Sequence, residues 1–202
     1  MKAIRTFFGK TPLALRIVAL YISVTLLSLG SVYAYQKNQP VVYAAENPVA
    51  AVQQAQTVVQ QAPEIESMPK RLIVERLGLD IDVEPGYYDV ETKEWTLDET
   101  HAFFAMQSQQ PGTKAGTAFI YGHNRASAFG PLAQLSVGDT VTLDLEDGHK
   151  VTYAYARDAK VTPETTQVVT EKSDYPQLIL LTCDGLFSQA RRVMYFTLTE
   201  AV

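Results

Sequence analysis

One cysteine, Cys183, stands in a chain of 202 residues. A disulfide framework within the chain and a multi-cysteine zinc site are therefore both excluded. Histidine is scarce as well, at three, so imidazole chemistry has few addresses. Acid is absent from residues 1–16, which carry Lys2, Arg5, Lys10 and Arg16, and charge of either sign is absent from residues 17–35. Basic excess is lacking in the chain as a whole: 17 basic residues against 22 acidic give a net charge of −5, which argues against a general nucleic-acid binder. What is present is enough apolar material for one real core. A mean hydropathy of −0.04 and 10% aromatics exclude a wholly disordered chain. No internal repeat is found.

The uncharged stretch IVALYISVTLLSLGSVYAY, residues 17–35, spans roughly 29 Å as a helix, about one hydrocarbon core. With the basic residues on its N-terminal side, it reads as a transmembrane anchor with a cytoplasmic N-terminus, residues 1–16, and an exported remainder. A cleaved signal peptide is the competing reading, with Val32-Tyr33-Ala34 and Val42-Tyr43-Ala44 as imperfect cleavage sites; the length of the apolar run favours the uncleaved anchor, held in membrane lipid. Residues 36–68 are rich in Gln, Ala and Val, and Pro40, Pro48 and Pro63 interrupt them. They read as a flexible extracellular linker, with Val49 to Gln61 as a weak helix candidate. Residues 69–202 carry 12 basic and 19 acidic residues and suffice for one domain.

That domain reads as mainly β. Arg71 to Val83 alternates, with Gly78 as a bend or bulge. Trp95 to Leu97 suggests a short strand, Ala102 to Met106 a helical turn, Gly116 to Tyr121 a buried strand and Phe129 to Leu135 a short helix. Asp147-Gly148 is the strongest hairpin signal, between VTLDL (141–145) and KVTYAYAR (150–157). Gln177 to Thr182 and Arg192 to Thr199 complete a set of short strands that implies an antiparallel-rich barrel or sandwich. The polar connection from Thr162 to Pro176 is a candidate binding loop.

Cys183 lies in Leu180-Leu181-Thr182-Cys183-Asp184-Gly185, where an apolar strand runs into a glycine-containing loop. The position suits either an inert buried thiol or a presented nucleophile. A thiol with a free pKa near 8.5 needs a proton partner and a cation nearby to act as a thiolate. His123 also sits at a strand end, in Tyr121-Gly122-His123-Asn124-Arg125. His149 reads as hairpin decoration, and His101 has no strong reading. Arg191 and Arg192 open the last strand, and a guanidinium suits a developing oxyanion.

Gly122-His123, Leu181-Thr182-Cys183 and an arginine at the start of the following strand, in that order, resemble the sortases, membrane-anchored cysteine transpeptidases. RLIVERLGLDIDV and FGPLAQLSVGDTVTL look like sortase framework, and the likeness covers residues 69–202. The resemblance implies an eight-stranded sortase-type β-barrel with short helices and a catalytic group of His123, Cys183 and one arginine. Arg192 is favoured because two aliphatic residues, Val193 and Met194, follow it; Arg191 is the alternative, and only one can serve, since neighbours on a strand face opposite ways. The implied reaction is cleavage of an LPXTG-like sorting signal through a thioester on Cys183, followed by transfer to an amine from a peptidoglycan precursor or a pilin subunit. No cofactor or metal is required. Some sortases bind calcium through loop carboxylates, but the cluster Asp144, Glu146 and Asp147 reads as a solvated turn. The absence of a C-terminal apolar helix tilts the expectation toward wall anchoring over pilus assembly.

Other cysteine enzymes fit less well. An L,D-transpeptidase would carry Ser-x-Gly-Cys where this chain has Thr182-Cys183-Asp184-Gly185, and a papain-like protease would place its cysteine early, at a helix N-terminus. The alternative from another class is a non-catalytic, membrane-tethered extracellular β-domain, an adhesin or scaffold, with Cys183 as buried filler.

Overall fold

The computed structural model describes residues 19–28, 48–92, 94–163, 165, 168, 171–185 and 189–202. The chain divides into two units, residues 1–41 and residues 42–202. In the first, residues 19–28 are helical and expose Leu20, Tyr21, Ile22, Val24, Leu26 and Leu27. The rest of the anchor expected over residues 17–35 lies outside the described residues. Among the described residues no helix is long and apolar enough to cross a membrane.

The second unit opens with α1 (Pro48–Gln61). Proline at the first helical position costs no hydrogen bond, and the Ala- and Gln-rich stretch after it has good helix propensity. Of the stretch expected to be a flexible linker, residues 48–61, which include the weak helix candidate Val49 to Gln61, are helical, and the helix packs on the barrel, with Ala55 fully buried and Val58 against the main core. The chain beyond it is also pinned. Ile65 N–H donates to Thr113 Oγ1 at 2.9 Å, Thr113 N–H donates back to Ile65 O at 2.9 Å, and Lys114 pairs with Glu64 and Glu66.

Ten strands follow: β1 (Pro69–Val74), β2 (Leu79–Gly86), β3 (Tyr88–Asp89), β4 (Glu94–Trp95), β5 (Ala102–Ala105), β6 (Gly116–Tyr121), β7 (Thr140–Leu145), β8 (Lys150–Val161), β9 (Pro176–Asp184) and β10 (Ala190–Ala201). Eight of them close a barrel in the order β1-β2-β5-β6-β9-β10-β8-β7, and β3 and β4 form a separate hairpin. Closure removes the free edges that an open sheet would expose. The pairs β2/β5 and β6/β9 are parallel, and the remaining neighbours are antiparallel.

Two local expectations are corrected. Arg71 to Val83 is two strands rather than one bent strand, because Gly78 adopts a left-handed conformation (φ 61°) and turns β1 back onto β2, Val74 pairing with Leu79. Ala102 to Met106 is a strand rather than a helical turn: all four residues of β5 are buried, since the barrel interior covers one face and an aromatic cluster the other. The Asp147-Gly148 hairpin joins β7 to β8 with Gly148 at φ 93°. The helix expected over Phe129 to Leu135 is a short 3-10 turn at Gly130–Gln134.

Strand alternation sorts the apolar residues into two layers. Ile120, Leu178, Leu180, Met194 and Phe196 belong to the main core. Phe119, Tyr121, Ile179, Val193 and Tyr195 face the other way and form a second cluster with Phe103, Ala159 and Val168. The β3–β4 hairpin covers part of this outer layer, Trp95 meeting Tyr121 edge-on with ring centroids 5.0 Å apart. Tyr195 is held there by the Arg157 guanidinium 3.6 Å above its ring, and its hydroxyl donates to Glu171 at 3.0 Å.

Candidate active site

Cys183 sits one residue from the end of β9, half-buried. It lies on the outer-layer face, two residues beyond Leu181 and four beyond Ile179. On one side β10 runs antiparallel, and its register pairs Arg191 with Cys183 and Arg192 with Thr182. Directly opposed residues project to the same face, so Arg191 shares the face of Cys183 and Arg192 does not. Arg192 points with Met194 toward the barrel interior. There its Nε donates to Asp158 Oδ2 at 2.6 Å, with side-chain exposures of 17% and 28%. Burial works against its charge, but Asp158 and Tyr155 outweigh burial and hold the guanidinium above its ordinary pKa. The arginine favoured from sequence, Arg192, thus pairs with Asp158 on the face opposite Cys183, and Arg191 lies on the face of the thiol. The aliphatic pair after Arg192 does not separate the two, because strand parity is set by the ladder with β9.

On the other side β6 runs parallel to β9, with Tyr121 in register with Leu181. The chain stays joined past the end of β6. Gly122 N–H donates to Leu181 O at 3.2 Å, Thr182 Oγ1 donates to Gly122 O at 2.9 Å, and Asn124 Nδ2 donates to Cys183 O at 2.9 Å. Residue 123 is flanked by these bonds, which hold its neighbours 122 and 124 on β9. Its own carbonyl accepts from both Arg125 and Phe129 N–H at 2.9 Å, which folds the loop back beneath it. The ring of buried Phe129 lies against Gly122, where a Cβ would meet it at 3.3 Å. The loop is braced from the hairpin side too: Arg125 pairs with Glu99 at 2.9 Å, and Ser127 Oγ donates to Glu99 O at 3.0 Å. Cys183 and Arg191 therefore share one face at the end of β9 and β10, and the main chain at residues 122–124 is held beside them.

The other sequence candidates lie elsewhere. His149 pairs with Asp147 at 3.1 Å in the β7–β8 turn. His101 pairs with Asp98 at 2.6 Å. Asp144 is paired with Lys150 at 2.8 Å, and among the described residues no group of three or more His, Cys, Asp or Glu is placed to hold a metal ion. An open recess of about 560 Å³, lined by Thr140, Thr142, Thr152 and Thr199, lies on a different part of the barrel and contains none of the site residues. Two features were not anticipated from sequence. Asp184 pairs with Lys160 at 2.7 Å on the face opposite Cys183, and Asn124 carries the bond to Cys183 O. An Asn directly after the histidine, in register with the cysteine strand, is the signal that marks the second.

Cys183, Arg191 and the loop carrying His123 are thus contributed by neighbouring chain segments at one end of the barrel. A sortase domain family model matches residues 72–199, and the chain belongs to the sortase family, whose members are cysteine transpeptidases. Solved structures agree in fold. Sortase A of Listeria monocytogenes and sortase E1 of Streptomyces coelicolor, the latter with a tripeptide in its active site, each match at 17% identity and TM-score 0.54, covering 67% of this chain and 90% of theirs. A Clostridium perfringens sortase D5 transpeptidase matches at 16% identity and TM-score 0.52, covering 72% of this chain and 87% of its own. A search among curated proteins finds no match.

Proposed function

We propose that this chain is a membrane-anchored cysteine transpeptidase that cleaves an LPXTG-like sorting signal and transfers the acyl part to an amine. The observation that carries this reading is the convergence on Cys183 of two strands: β10 brings Arg191 as its cross-strand partner, and β6 brings His123 through the bonds at Gly122 and Asn124. The Cys183 thiolate attacks the carbonyl carbon of the sorting-signal threonine, and the carbonyl π pair moves to oxygen. Arg191 faces that oxyanion and holds the peptide backbone. Collapse re-forms the carbonyl and expels the amine of the next residue, which takes a proton from the His123 imidazolium. The thioester left on Cys183 is opened by an acceptor amine, whose proton returns to His123, and the thiolate is regenerated.

Register supports Arg191 for the oxyanion role over the sequence-favoured Arg192, which is held by Asp158 on the other face. The acceptor is a peptidoglycan precursor or a pilin lysine. The anchor over residues 17–35 places the domain outside the cell membrane with its N-terminus cytoplasmic, which fits the uncharged run and its basic flank. The test is turnover of a fluorogenic LPXTG-type peptide with an amine acceptor, together with alkylation of native Cys183. Wild type should cleave and be labelled, and Cys183→Ala should do neither while keeping its fold. A folded Cys183→Ala protein that still turns over, or a wild-type thiol that resists labelling, overturns the reading in favour of a scaffold.

A further inference from the structure

The join between β6 and β9 continues beyond the regular ladder. In a parallel pair one strand donates to its neighbour from every second residue. Gly122 N–H supplies such a bond to Leu181 O at 3.2 Å. The next place in the series is residue 124 against Cys183 O. There the acceptor is met by a side chain, Asn124 Nδ2, at 2.9 Å. By that point the main chain has left the strand direction, since Arg125 and Phe129 N–H both close onto His123 O. The carboxamide thus substitutes for a rung of the ladder at the residue pair where the backbone departs.

The consequence is geometric. His123 lies between two anchored positions, 122 and 124, whose acceptors are the carbonyls of residues 181 and 183 on either side of Thr182. Thr182 itself donates back to Gly122 O at 2.9 Å. Without the Asn124 bond, the loop would be held on β9 only up to Gly122, one residue short of the imidazole. Its other braces among the described residues, Arg125 to Glu99 and Ser127 to Glu99 O, run to the β4–β5 connection and not to β9.

We infer that Asn124 is a positioning residue of this site, setting the approach of the His123 imidazole to the Cys183 sulfur through the Cys183 main-chain carbonyl. The role requires one N–H donor on a short side chain. Aspartate has the right length, but as a carboxylate it cannot donate and would face the carbonyl oxygen with like charge. The inference rests on the transpeptidase reading for its turnover consequence, and on geometry alone for its consequence on the thiol.

The experiment compares wild type, Asn124→Ala and Asn124→Asp by two readouts. The first is the pH profile of iodoacetamide alkylation of Cys183, which needs no peptide. The second is kcat and KM with an LPXTG-type peptide. The expected result is a changed alkylation profile in both variants and a fall in kcat of about tenfold, the scale of one neutral hydrogen bond, with KM near the wild-type value. Thermal midpoints should stay close to wild type, because Asn124 is exposed; Asn124→Asp, which keeps the size of the side chain, serves if the alanine variant is poorly folded. Folded variants with the wild-type alkylation profile overturn the inference. So does a loss confined to KM, which would make Asn124 a peptide contact. A wild-type protein that does not turn over sinks the transpeptidase reading, while the alkylation comparison still decides the role of Asn124.

Discussion

Arg191 and Cys183 are direct cross-strand partners near the end of the β9–β10 ladder, and Arg192 is the partner of Thr182 on the opposite face. Under the proposed function, adjacent arginines with the same formal charge would therefore do different work. Arg191→Ala should lower kcat by two orders of magnitude or more with little change in thermal midpoint, the size expected when a charged oxyanion donor is removed. Arg192→Ala should destabilise by about 2 kcal/mol, since it leaves Asp158 without its half-buried partner. Parallel thermal melts and peptide turnover on the two variants check this, and the opposite pattern would reassign the roles.

Tyr121 carries a buried hydroxyl with no hydrogen-bond partner among the described residues, packed where a Cβ on Gly86 would come within 2.3 Å of it. Burial pushes its pKa up. Tyr121→Phe removes an unsatisfied polar group from an apolar layer and should be neutral or stabilising by about 1 kcal/mol. Gly86→Ala should destabilise by roughly 1–3 kcal/mol through overpacking, and part of that loss should be recovered in the Gly86→Ala/Tyr121→Phe double variant. Denaturant unfolding of the four proteins tests the coupling; strictly additive effects would count against it.

The Asp98–His101 pair gives the loop beside Glu99 and Arg125 a pH window. Burial opposes the charge on Asp98, but N–H donors from Thr100 and His101 and the imidazole outweigh it and hold the carboxyl down at about 2. The hydrogen bond to Asp98 raises His101, burial works against that, and the more distant Glu84 and Asp82 add to the rise. The raised His101 contributes fully below its unfolded value, about 6.5, and the contribution is lost as pH rises through the folded value. The depressed Asp98 contributes above about 4 and is lost as pH falls toward 2. The loop is thus tightest between about pH 4 and 6.5. Hydrogen exchange at residues 98–101 should show protection declining on the alkaline side, and His101→Gln should flatten that limb; an unchanged limb in the variant would remove His101 as its source.

Ala55 is fully buried where α1 meets the barrel. Ala55→Glu forces a carboxylate into that contact and should release the helix, with a loss of about 2 kcal/mol if the helix contributes to the cooperative unit. Protection of residues 48–61 in hydrogen exchange separates a released helix from an unfolded barrel. Full protection in the variant would show that the contact is dispensable.

Most of the barrel was legible because its strands alternate or run apolar for five or six residues, as in GTAFIY and QLILLT. Asp147-Gly148 announced its hairpin through a glycine that tolerates positive φ. Gly78 misled, because a glycine between two alternating runs serves a bulge and a reversal equally well, and only pairing partners decide between them. Ala102-Phe103-Phe104-Ala105 showed no period because both of its faces are covered. Helix α1 was legible only as a weak candidate over Val49 to Gln61, because Gln and Ala carry little core signal and Ala55 buries too small a side chain to stand out. At the site, the cysteine and histidine were legible as residue types at strand ends. Which of the two arginines shares the face of Cys183 was not, since parity counts from the ladder with β9.

His123 and Cys183 are sixty positions apart in the chain, and their meeting depends on a parallel pair, β6 with β9, whose crossover contains β7 and β8. An incompletely assembled chain therefore owns a sulfur and an imidazole but no couple. Under the proposed function, turnover would thus await the pairing of β6 with β9.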